Sequence, residues 1–211
     1  MSTITPTETP LQQGDTTCVS IEDGRTTIGV LLSRQSRWPL IAPAPTESEI
    51  DTILDVGLRA PDNGRLRPWR FVVVRDDARA KLGEVLVDVA CSREPELART
   101  VHESRGQRAF AAPLLIALGA NVTLHPVVPE IEQLLSVGAA AMNMLNAVHA
   151  LGYGGYWTSG PDCYEPELLD ALGFDDNHRL LGILYIGTPK DPPRTARRPA
   201  RKDHAREWNS A

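Results

Sequence analysis

The stretch RAPDNGRLRPWRFVVV, residues 59–74, decides the fold class of this chain. A helix with one apolar face ends at Pro61, a polar loop follows, and the apolar run Trp69 to Val74 begins directly after Pro68. Aromatic and β-branched residues favour a strand, and an unbroken apolar run is typical of a strand buried on both faces. The stretch therefore predicts a helix, a polar loop and a buried strand in succession.

The polar loop within this stretch is a candidate binding site, because loops held between two rigid elements often carry function. It places several polar or cationic donors beside an aromatic ring: Arg59, Asn63, Arg65, Arg67 and Trp69. Guanidinium groups next to an aromatic ring suit a planar anionic ligand. An ordinary connection whose arginines face the solvent is the alternative, and the stretch alone leaves both interpretations open.

The N-terminal part of the chain has a different character. Residues 1–25 are rich in Thr, Gln, Pro and Gly and show no apolar periodicity, which predicts a flexible extension. A single domain is predicted over residues 26–211. It begins with a short helix from Thr26, and an extended connector follows through the prolines of residues 39–45.

The remaining periodicities predict an α+β fold. Thr46 and Glu49 form a capping-box pattern ahead of a helix, and the apolar runs at residues 112–118 and 180–186 predict two further buried strands. The helix predicted over residues 131–151 is apolar or small on nearly every face, as is typical of a buried central helix. Helices alternate with these strands, which favours a three-layer αβα sandwich.

Composition excludes several function classes. The chain has 211 residues, of which 42% are hydrophobic and 23% are charged, as in ordinary globular domains. Its net charge of −5 argues against a nucleic-acid-binding domain, since phosphate neutralisation needs a basic face. No apolar run is long enough to span a membrane, and three widely spaced cysteines form no metal motif. We expect a cytoplasmic protein that binds neither nucleic acid, membrane nor metal.

Three further segments carry candidate binding residues. Arg34, Gln35 and Ser36 place a guanidinium beside a hydroxyl, which suits a phosphate, although a solvated helix end is the simpler interpretation. Residues 156–159 pair aromatic rings with hydroxyls and could line either a planar ligand or a core turn. The basic tail over residues 194–206 favours a solvated segment, or an arginine folded back onto a phosphate, over nucleic-acid contact.

Several catalytic motifs are absent from the sequence. The run GYGGY follows a predicted helix and does not match the GxGxxG dinucleotide pattern, and neither a P-loop nor a GxSxG elbow occurs. The histidines lack ligand spacing, and His149 in the central helix is better explained as a core or interface residue. No general acid–base pair stands out, so a bound cofactor would carry the chemistry of an enzyme with this sequence.

Three segments carry a resemblance to a known family: RQS at residues 34–36, LRAPDNGRLRPWRF at residues 58–71, and GYGGYWTSG at residues 152–160. In this order they resemble the FMN-dependent nitroreductases, and the short, minimal branch of that family in particular. The resemblance covers roughly residues 26–200. It implies a nitroreductase-like α+β fold, a homodimer, and two FMN sites at the dimer interface that both chains build.

The resemblance also implies which residues hold the phosphate of FMN. Arg34, Gln35 and Ser36 match the family segment at the ribityl phosphate end of the cofactor. Arg197 or Arg198 resembles the basic residue near the C-terminus that completes this phosphate site.

Two groups match positions around the flavin ring: Arg59, Asn63 and Arg67 in the loop, and Trp157, Thr158 and Ser159 in the third segment. In the family, the positions of Arg59 and Asn63 reach the FMN of the partner subunit. Most relatives have His in place of Asn63, many have Gln in place of Arg67, and some have Arg in place of Thr158. An amide can still donate a hydrogen bond in place of an imidazole, but it cannot carry a charge.

The activity implied by the resemblance is that of an NAD(P)H-dependent FMN oxidoreductase with a ping-pong cycle. A hydride passes from NAD(P)H to flavin N5, and a nitroaromatic, quinone or enone acceptor then takes the electrons in the same cavity. No side chain needs to act as a covalent catalyst. Two alternatives stay open, namely a protein that binds FMN without turning over a nucleotide, and a relative with other flavin chemistry such as flavin cleavage or dehalogenation.

Overall fold

The computed structural model describes residues 21–208, and its backbone contacts separate a first unit that ends at Ser33 from a second unit that follows it. Helix α1, Ile21–Ser33, is the described part of the first unit and begins ahead of its predicted start. The predicted extension over residues 1–25 lies mostly outside the described residues, and the domain predicted over residues 26–211 stays a prediction.

The described part of the second unit holds five helices and a five-stranded sheet. In chain order these elements are β1 (Leu40–Ile41), α2 (Glu47–Gly57), β2 (Trp69–Arg75), α3 (Ala78–Arg93), α4 (Arg99–Gly106), β3 (Leu114–Asn121), α5 (Glu130–Ala150), β4 (Gly154–Thr158), α6 (Pro166–Ala171) and β5 (His178–Pro189). Short 3-10 turns occur at Asn63–Arg65, Gln107–Phe110, Pro161–Tyr164 and Arg201–Asp203.

All strand pairs of this sheet are antiparallel, and β1, β5, β3 and β2 lie side by side in that order. Strand β5 is long enough to pair with three others. One edge of β5 pairs with β3, and its other edge pairs with β1 at Ile41 and with β4 from Gly154 to Thr158. Strand β3 is the most deeply buried, since every residue from Leu114 to Ala120 is buried.

The alternation of side chains along β3 divides the core into two layers. Leu115 and Ala117 pack in one cluster with residues of α3 and α6, whereas Leu114, Ile116 and Leu118 pack in another with residues of α2 and α5. Each fully buried Leu or Ile contributes roughly 1.5–3 kcal/mol of transfer free energy. Helices therefore cover both faces of the sheet, and the predicted three-layer αβα sandwich of the α+β class is confirmed.

The start of α2 follows the predicted capping box. The Thr46 hydroxyl accepts the backbone N–H of Glu49, and the Glu49 carboxylate accepts that of Thr46 at 2.8 Å. The helix ends at Gly57, where a Cβ atom would lie 2.8 Å from Cγ of Met144. Glycine at this position therefore lets α2 approach α5 closely.

Two sequence-based predictions are wrong in detail. Strand β2 was expected to be buried on both faces, yet Val74 is its only buried residue, because β2 lies at the edge of the sheet in the described chain. Of the two interpretations left open for residues 156–159, a core turn is wrong, since Gly154–Thr158 form strand β4 and Trp157 is exposed. Hydrophobicity alone does not distinguish a central strand from an edge strand whose apolar side chains are only partly covered.

Helix α5 is the central helix that the sequence predicts, with 21 residues and nine of them buried. One face is nevertheless exposed in the single chain, at Ile131, Leu135 and Met142, which recur at helical spacing. Gly138 and Ala139 lie between them and are half-buried. Among the residues that the structure describes, no helix has both the length and the apolar character needed to cross a membrane.

Candidate functional site

The loop between α2 and β2 is built around the carboxylate of Asp62. Its Oδ1 accepts the backbone N–H of Leu66 at 3.0 Å, and its Oδ2 accepts the backbone N–H of Arg67 at 2.8 Å. The carboxylate thus satisfies two backbone donors that belong to neither α2 nor β2. Sequence reasoning selected the arginines of this loop and missed Asp62, because its role depends on loop geometry.

The loop has an unusual backbone. Gly64, Arg65 and Arg67 have φ values of 74°, 55° and 50°, all in the left-handed region. This conformation costs a residue other than glycine about 1–2 kcal/mol. Non-glycine residues held in this way concentrate at functional sites, where surrounding contacts maintain the strained geometry. The two hydrogen bonds to Asp62 are contacts of that kind.

Two further contacts tie the loop to the N-terminal half of α5. The side-chain amide of Asn63 donates to Oε2 of Glu132 at 2.7 Å, and the indole of Trp69 donates to the carbonyl of Ser136 at 3.1 Å. The side chains of Arg59 and Arg67 are exposed beside this anchored segment. Arg65 is exposed as well, so the loop presents three guanidinium groups from a backbone held at both ends.

A second group of predicted site residues lies where the second unit begins. Arg34 and Gln35 are half-buried and Ser36 is exposed. The segment continues alongside β4, where the backbone N–H of Arg37 donates to the carbonyl of Gly155 at 3.3 Å. The tail returns to this segment. Nη2 of Arg198 donates to the carbonyl of Arg34 at 2.6 Å, so of the two tail arginines Arg198 is the one for which a contact with this segment is observed.

His149, in the last turn of α5, lies beside this second group. Burial is the main cause that lowers its pKa, and the charges of Arg34 and Arg37 lower it further. No carboxylate of the described chain forms an ion pair with Arg34, Arg37 or Arg198. We call these three arginines the basic cluster. Three guanidinium groups without a carboxylate partner are suited to bind an anion.

Trp157 is oriented by an irregularity in the sheet. The pairing of β3 with β5 shifts register between Leu118 and Gly119, which makes Leu181 a bulged residue. The carbonyl of Leu181 accepts a hydrogen bond from the indole Nε1 of Trp157 at 3.2 Å. Trp157 keeps 40% of its surface exposed, so a planar ligand can reach the ring.

Gly182, the residue after this bulge, leaves the space in which the indole of Trp157 lies against β5. Its φ is 138°, and a Cβ atom there would lie 2.3 Å from the carbonyl oxygen of Thr158 and 2.4 Å from Nε1 of Trp157. A side chain at this position would displace either the backbone of β4 or the indole ring. The sequence contains no local signal for this requirement, because the apolar run around Gly182 predicts only a strand.

Strand β4 separates two cavities. Trp157 lines the larger, of about 700 Å³, together with residues of α5, α6, β5 and the turn Pro161–Tyr164. Thr158 and Ser159 line the smaller, of about 340 Å³, together with Trp38. The three residues predicted from this segment therefore stay close in space but face different cavities.

The smaller cavity has an aromatic lining. Tyr156 and Tyr185 stack with ring centroids 4.9 Å apart, and the ring of Trp38 meets Tyr156 edge-on at 5.3 Å. Burial raises the pKa of both tyrosine phenols. Both hydroxyl groups are therefore protonated at neutral pH and available as hydrogen-bond donors.

A buried carboxylate that the sequence analysis missed supports the segment after Ser159. Asp162 is 5% exposed, and its two oxygens accept from Arg93 at 2.8 Å and from Arg108 at 3.1 Å. Arg93 also pairs with Glu165 at 3.1 Å. These ion pairs link the turn Pro161–Tyr164 to α3 and to the turn before β3.

The predicted site residues fall into two groups that one chain does not bring together. Asn63 contacts Glu132 near the start of α5, whereas Arg34 lies beside His149 in its last turn. At a rise of about 1.5 Å per residue, these two positions on α5 are about 25 Å apart. The structure therefore unites Arg34, Gln35, Ser36 and Arg198 near one end of the helix and places Asn63 and Arg67 near the other. Arg59 follows the end of α2, where the carbonyl of Val56 accepts from the amide of Asn143 in the second half of α5.

The described side chains do not favour a metal site or a cysteine nucleophile. Within residues 21–208, no group of His, Cys, Asp and Glu side chains is arranged to hold a metal ion. Cys91 and Cys163 are free thiols, and burial raises the pKa of Cys163, which disfavours its nucleophilic thiolate form. What the site offers is guanidinium groups, hydroxyls and aromatic walls.

This geometry defines an α+β protein whose guanidinium groups, hydroxyls and aromatic rings suit an anionic, planar molecule. A model of the nitroreductase family matches residues 33–188, and the chain therefore belongs to that family. The match spans all three segments that carried the resemblance.

Known proteins agree with this assignment. The chain is 35% identical over 161 residues to an Escherichia coli K12 protein with the provisional name NAD(P)H nitroreductase YdjA, which covers 76% of this chain and 87% of that protein. A nitroreductase-like protein from Bacillus cereus superimposes with a TM-score of 0.73 at 19% identity, covering 93% of this chain and all of the other. A Desulfovibrio desulfuricans protein with the provisional name nitroreductase, solved in complex with FMN, superimposes with a TM-score of 0.66 at 24% identity, covering 87% of this chain and 98% of the other.

Proposed function

We propose that the protein is an FMN-dependent oxidoreductase that passes a hydride from NAD(P)H through the flavin to a nitroaromatic, a quinone or an enone. The observation that carries this proposal is the basic cluster beside the last turn of α5, where three arginines have no carboxylate partner in the described chain. The phosphate of FMN is dianionic and is matched by guanidinium and hydroxyl donors. A similar solved protein contains FMN, which supports the choice of anion.

The remaining predicted residues suit the other parts of FMN. The exposed ring of Trp157 would form a wall for the isoalloxazine, and the hydroxyls of Thr158 and Ser159, which face the smaller cavity, would bind another part of the cofactor. FMN itself supplies N5 as the acceptor of the hydride and delivers two electrons to the second substrate. Arg59 and Arg67 would stabilise negative charge at the polar edge of the reduced ring.

The division of the site into two groups supports a homodimer. Two antiparallel copies of α5, related by a twofold axis, would place the basic cluster of one chain beside the loop of the other. The exposed stripe of Ile131, Leu135 and Met142 offers an apolar face for that contact, and Gly138 allows close approach. Each FMN would then be held by both chains.

The experiment that tests the function is an anaerobic titration of the purified, FMN-loaded protein. We expect NADH or NADPH to bleach the flavin absorbance, and a quinone added afterwards to restore it. A protein that retains FMN but is bleached by neither nucleotide would instead be an FMN-binding protein without turnover. A protein that takes up no FMN would refute both. The cytoplasmic location stays a prediction that fractionation of cells would test.

A further inference from the structure

We propose that the larger cavity beside β4 binds the electron acceptor and selects uncharged or cationic aromatic compounds over anionic ones. This inference rests on the proposed function, since it assigns a pocket and a substrate class to the same reaction. It adds a site that the family resemblance does not specify, because none of the predicted site residues except Trp157 lines this cavity.

The size and walls of the cavity suit an aromatic compound. Its volume of about 700 Å³ lies within the range of small-molecule pockets. The walls are mainly apolar side chains from α5, α6 and β5: Leu134, Leu135, Leu169, Leu180 and Leu181. Leu135 also belongs to the exposed stripe of α5 proposed for the dimer contact, so the cavity would open beside that contact. Trp157 closes the side toward β4, so an acceptor in this cavity would share that indole with the proposed flavin site.

The rim of the cavity is acidic. It carries the carboxylates of Asp170, Asp175 and Asp176 against one guanidinium, that of Arg179. The Arg179 charge is already offset, because its Nε pairs with Oε1 of Glu130 at 3.2 Å. Asp170 and Asp176 are exposed and have no ion-pair partner among the described side chains.

The third carboxylate of the rim stays ionised at neutral pH. The hydrogen bond from Nδ1 of His178 at 2.5 Å is the main cause that lowers the pKa of Asp175, and the charge of Arg70 adds to it. Arg70 therefore balances Asp175 in part, but Asp170 and Asp176 stay without a compensating charge. A negative rim around an apolar cavity attracts cations, admits neutral molecules and repels anions.

Three matched acceptors test this selectivity on the full-length, FMN-loaded protein: nitrobenzene, 4-nitrobenzoate, and a nitrobenzene that carries a trimethylammonium group. Dithionite reduces the flavin first, so that reoxidation is measured without NAD(P)H. We expect 4-nitrobenzoate to reoxidise the flavin about tenfold more slowly than the other two at low salt, with a smaller difference at high salt because exposed charges are screened. Equal rates for all three would overturn the proposal.

Substitutions test whether the rim carboxylates cause the selectivity against anionic acceptors. Asp170→Asn combined with Asp176→Asn should reduce the discrimination against 4-nitrobenzoate by about threefold or more, the order expected for exposed charges in water. Asp51→Asn, an exposed aspartate of α2 that does not line the cavity, is the matched control and should change nothing. Discrimination that persists unchanged in the double variant would place the acceptor elsewhere.

A third variant tests occupancy of the cavity. Tyr164 lines it and is 73% exposed, so Tyr164→Ala should leave the fold intact while raising the KM for nitrobenzene several-fold. Leu124→Ala, at an exposed residue outside this cavity, is its control. A changed oligomeric state with an unchanged KM would show that a second copy of the chain fills the cavity, which contradicts the proposal.

Calorimetric binding of nitrobenzene and 4-nitrobenzoate separates this proposal from the function on which it rests. If the flavin is not bleached by NAD(P)H but nitrobenzene still binds more tightly than 4-nitrobenzoate, the reductase function fails while the cavity assignment survives. If the flavin is bleached and the two compounds bind equally, only the cavity assignment fails.

Discussion

The side-chain amide of Asn63 donates to the carboxylate of Glu132 at 2.7 Å. This bond anchors the loop between α2 and β2, which we call the arginine loop, at the start of α5. Arg34 lies beside His149 in the last turn of the same helix. A twofold arrangement would complete each FMN site with Arg34 from one chain and Arg59 from its partner. This pairing can be tested without a structure of the complex.

Mixed dimers provide the test. Arg34→Ala and Arg59→Ala chains with different affinity tags should each bind FMN weakly when expressed alone. In the mixed dimer both substitutions fall on one site and the other site is intact, so tandem-purified protein should recover about half of the wild-type flavin. The measurement is flavin absorbance per protein. No recovery would mean that each chain binds FMN with both of its own arginines.

Replacement of Gly182 by alanine should disturb the wall formed by Trp157. The added Cβ would lie 2.3 Å from a carbonyl oxygen of β4, and φ is 138°, so we expect a loss of about 1–3 kcal/mol in unfolding free energy. FMN affinity should fall as well, because the indole moves. Urea denaturation and flavin titration measure the two effects. Gly29→Ala in α1, where a Cβ meets open space, is the control.

Asp62 should act as a positioning residue for the arginine loop. Asp62→Ala removes the acceptor of both the Leu66 and Arg67 N–H groups, so the left-handed residues lose their support. We expect FMN to dissociate about tenfold more readily and unfolding free energy to fall by about 1–2 kcal/mol. Asp62→Asn retains an acceptor and should recover part of the affinity. An equal effect of both variants would show that the charge, rather than the backbone hydrogen bonds, matters.

The ion pairs of Asp162 should contribute to stability. Asp162→Asn leaves Arg93 and Arg108 without their buried counter-charge, and we expect a loss of about 2–3 kcal/mol, below the full value for a buried pair because both arginines keep some solvent contact. Chemical denaturation measures it. Asp88→Asn breaks an exposed pair with Arg99 and should have a much smaller effect. Similar losses in the two variants would contradict the role of burial.

His149 should make the stability of the FMN-free protein fall at acid pH. Burial, with Arg34 and Arg37, lowers its pKa below the ordinary value of 6.5. Above that value His149 is neutral in both states and adds no pH dependence. As the pH falls below it, the unfolded chain takes up the proton first, so the folded state loses stability until its own lower pKa is reached. Denaturation curves for His149→Gln should show a smaller decline than the wild-type protein over this window.

Local patterns predicted the elements whose structure depends on near neighbours. The capping box of Thr46 and Glu49 and the apolar run of β3 were sufficient for a helix start and a buried strand. The edge position of β2 was not predictable, because pairing order in a sheet depends on contacts distant in sequence. The length and small side chains of α5 predicted its central place, but not that its apolar residues would divide between the core and an exposed stripe.

The candidate site residues were predicted because their types suit an anion, and the family resemblance assigned these residues to FMN. The residues that were not predicted contribute through contacts that form only in the folded chain. Asp62 accepts hydrogen bonds from a loop backbone, Gly182 makes room for an indole, and Asp162 balances two arginines from distant segments. Each of these residues has an ordinary sequence context, and its role becomes visible only once the chain segments around it are in place.

The separation of about 25 Å along α5 between Glu132 and His149 has a consequence for how the protein would bind its cofactor. On the proposed arrangement, a lone subunit offers the flavin only part of its binding groups, so association and flavin uptake are linked by mass action. A higher protein concentration would then favour the dimer and so increase flavin binding, as a second ligand would. In a cell, the amount of active enzyme would rise more steeply than the amount of chain synthesised.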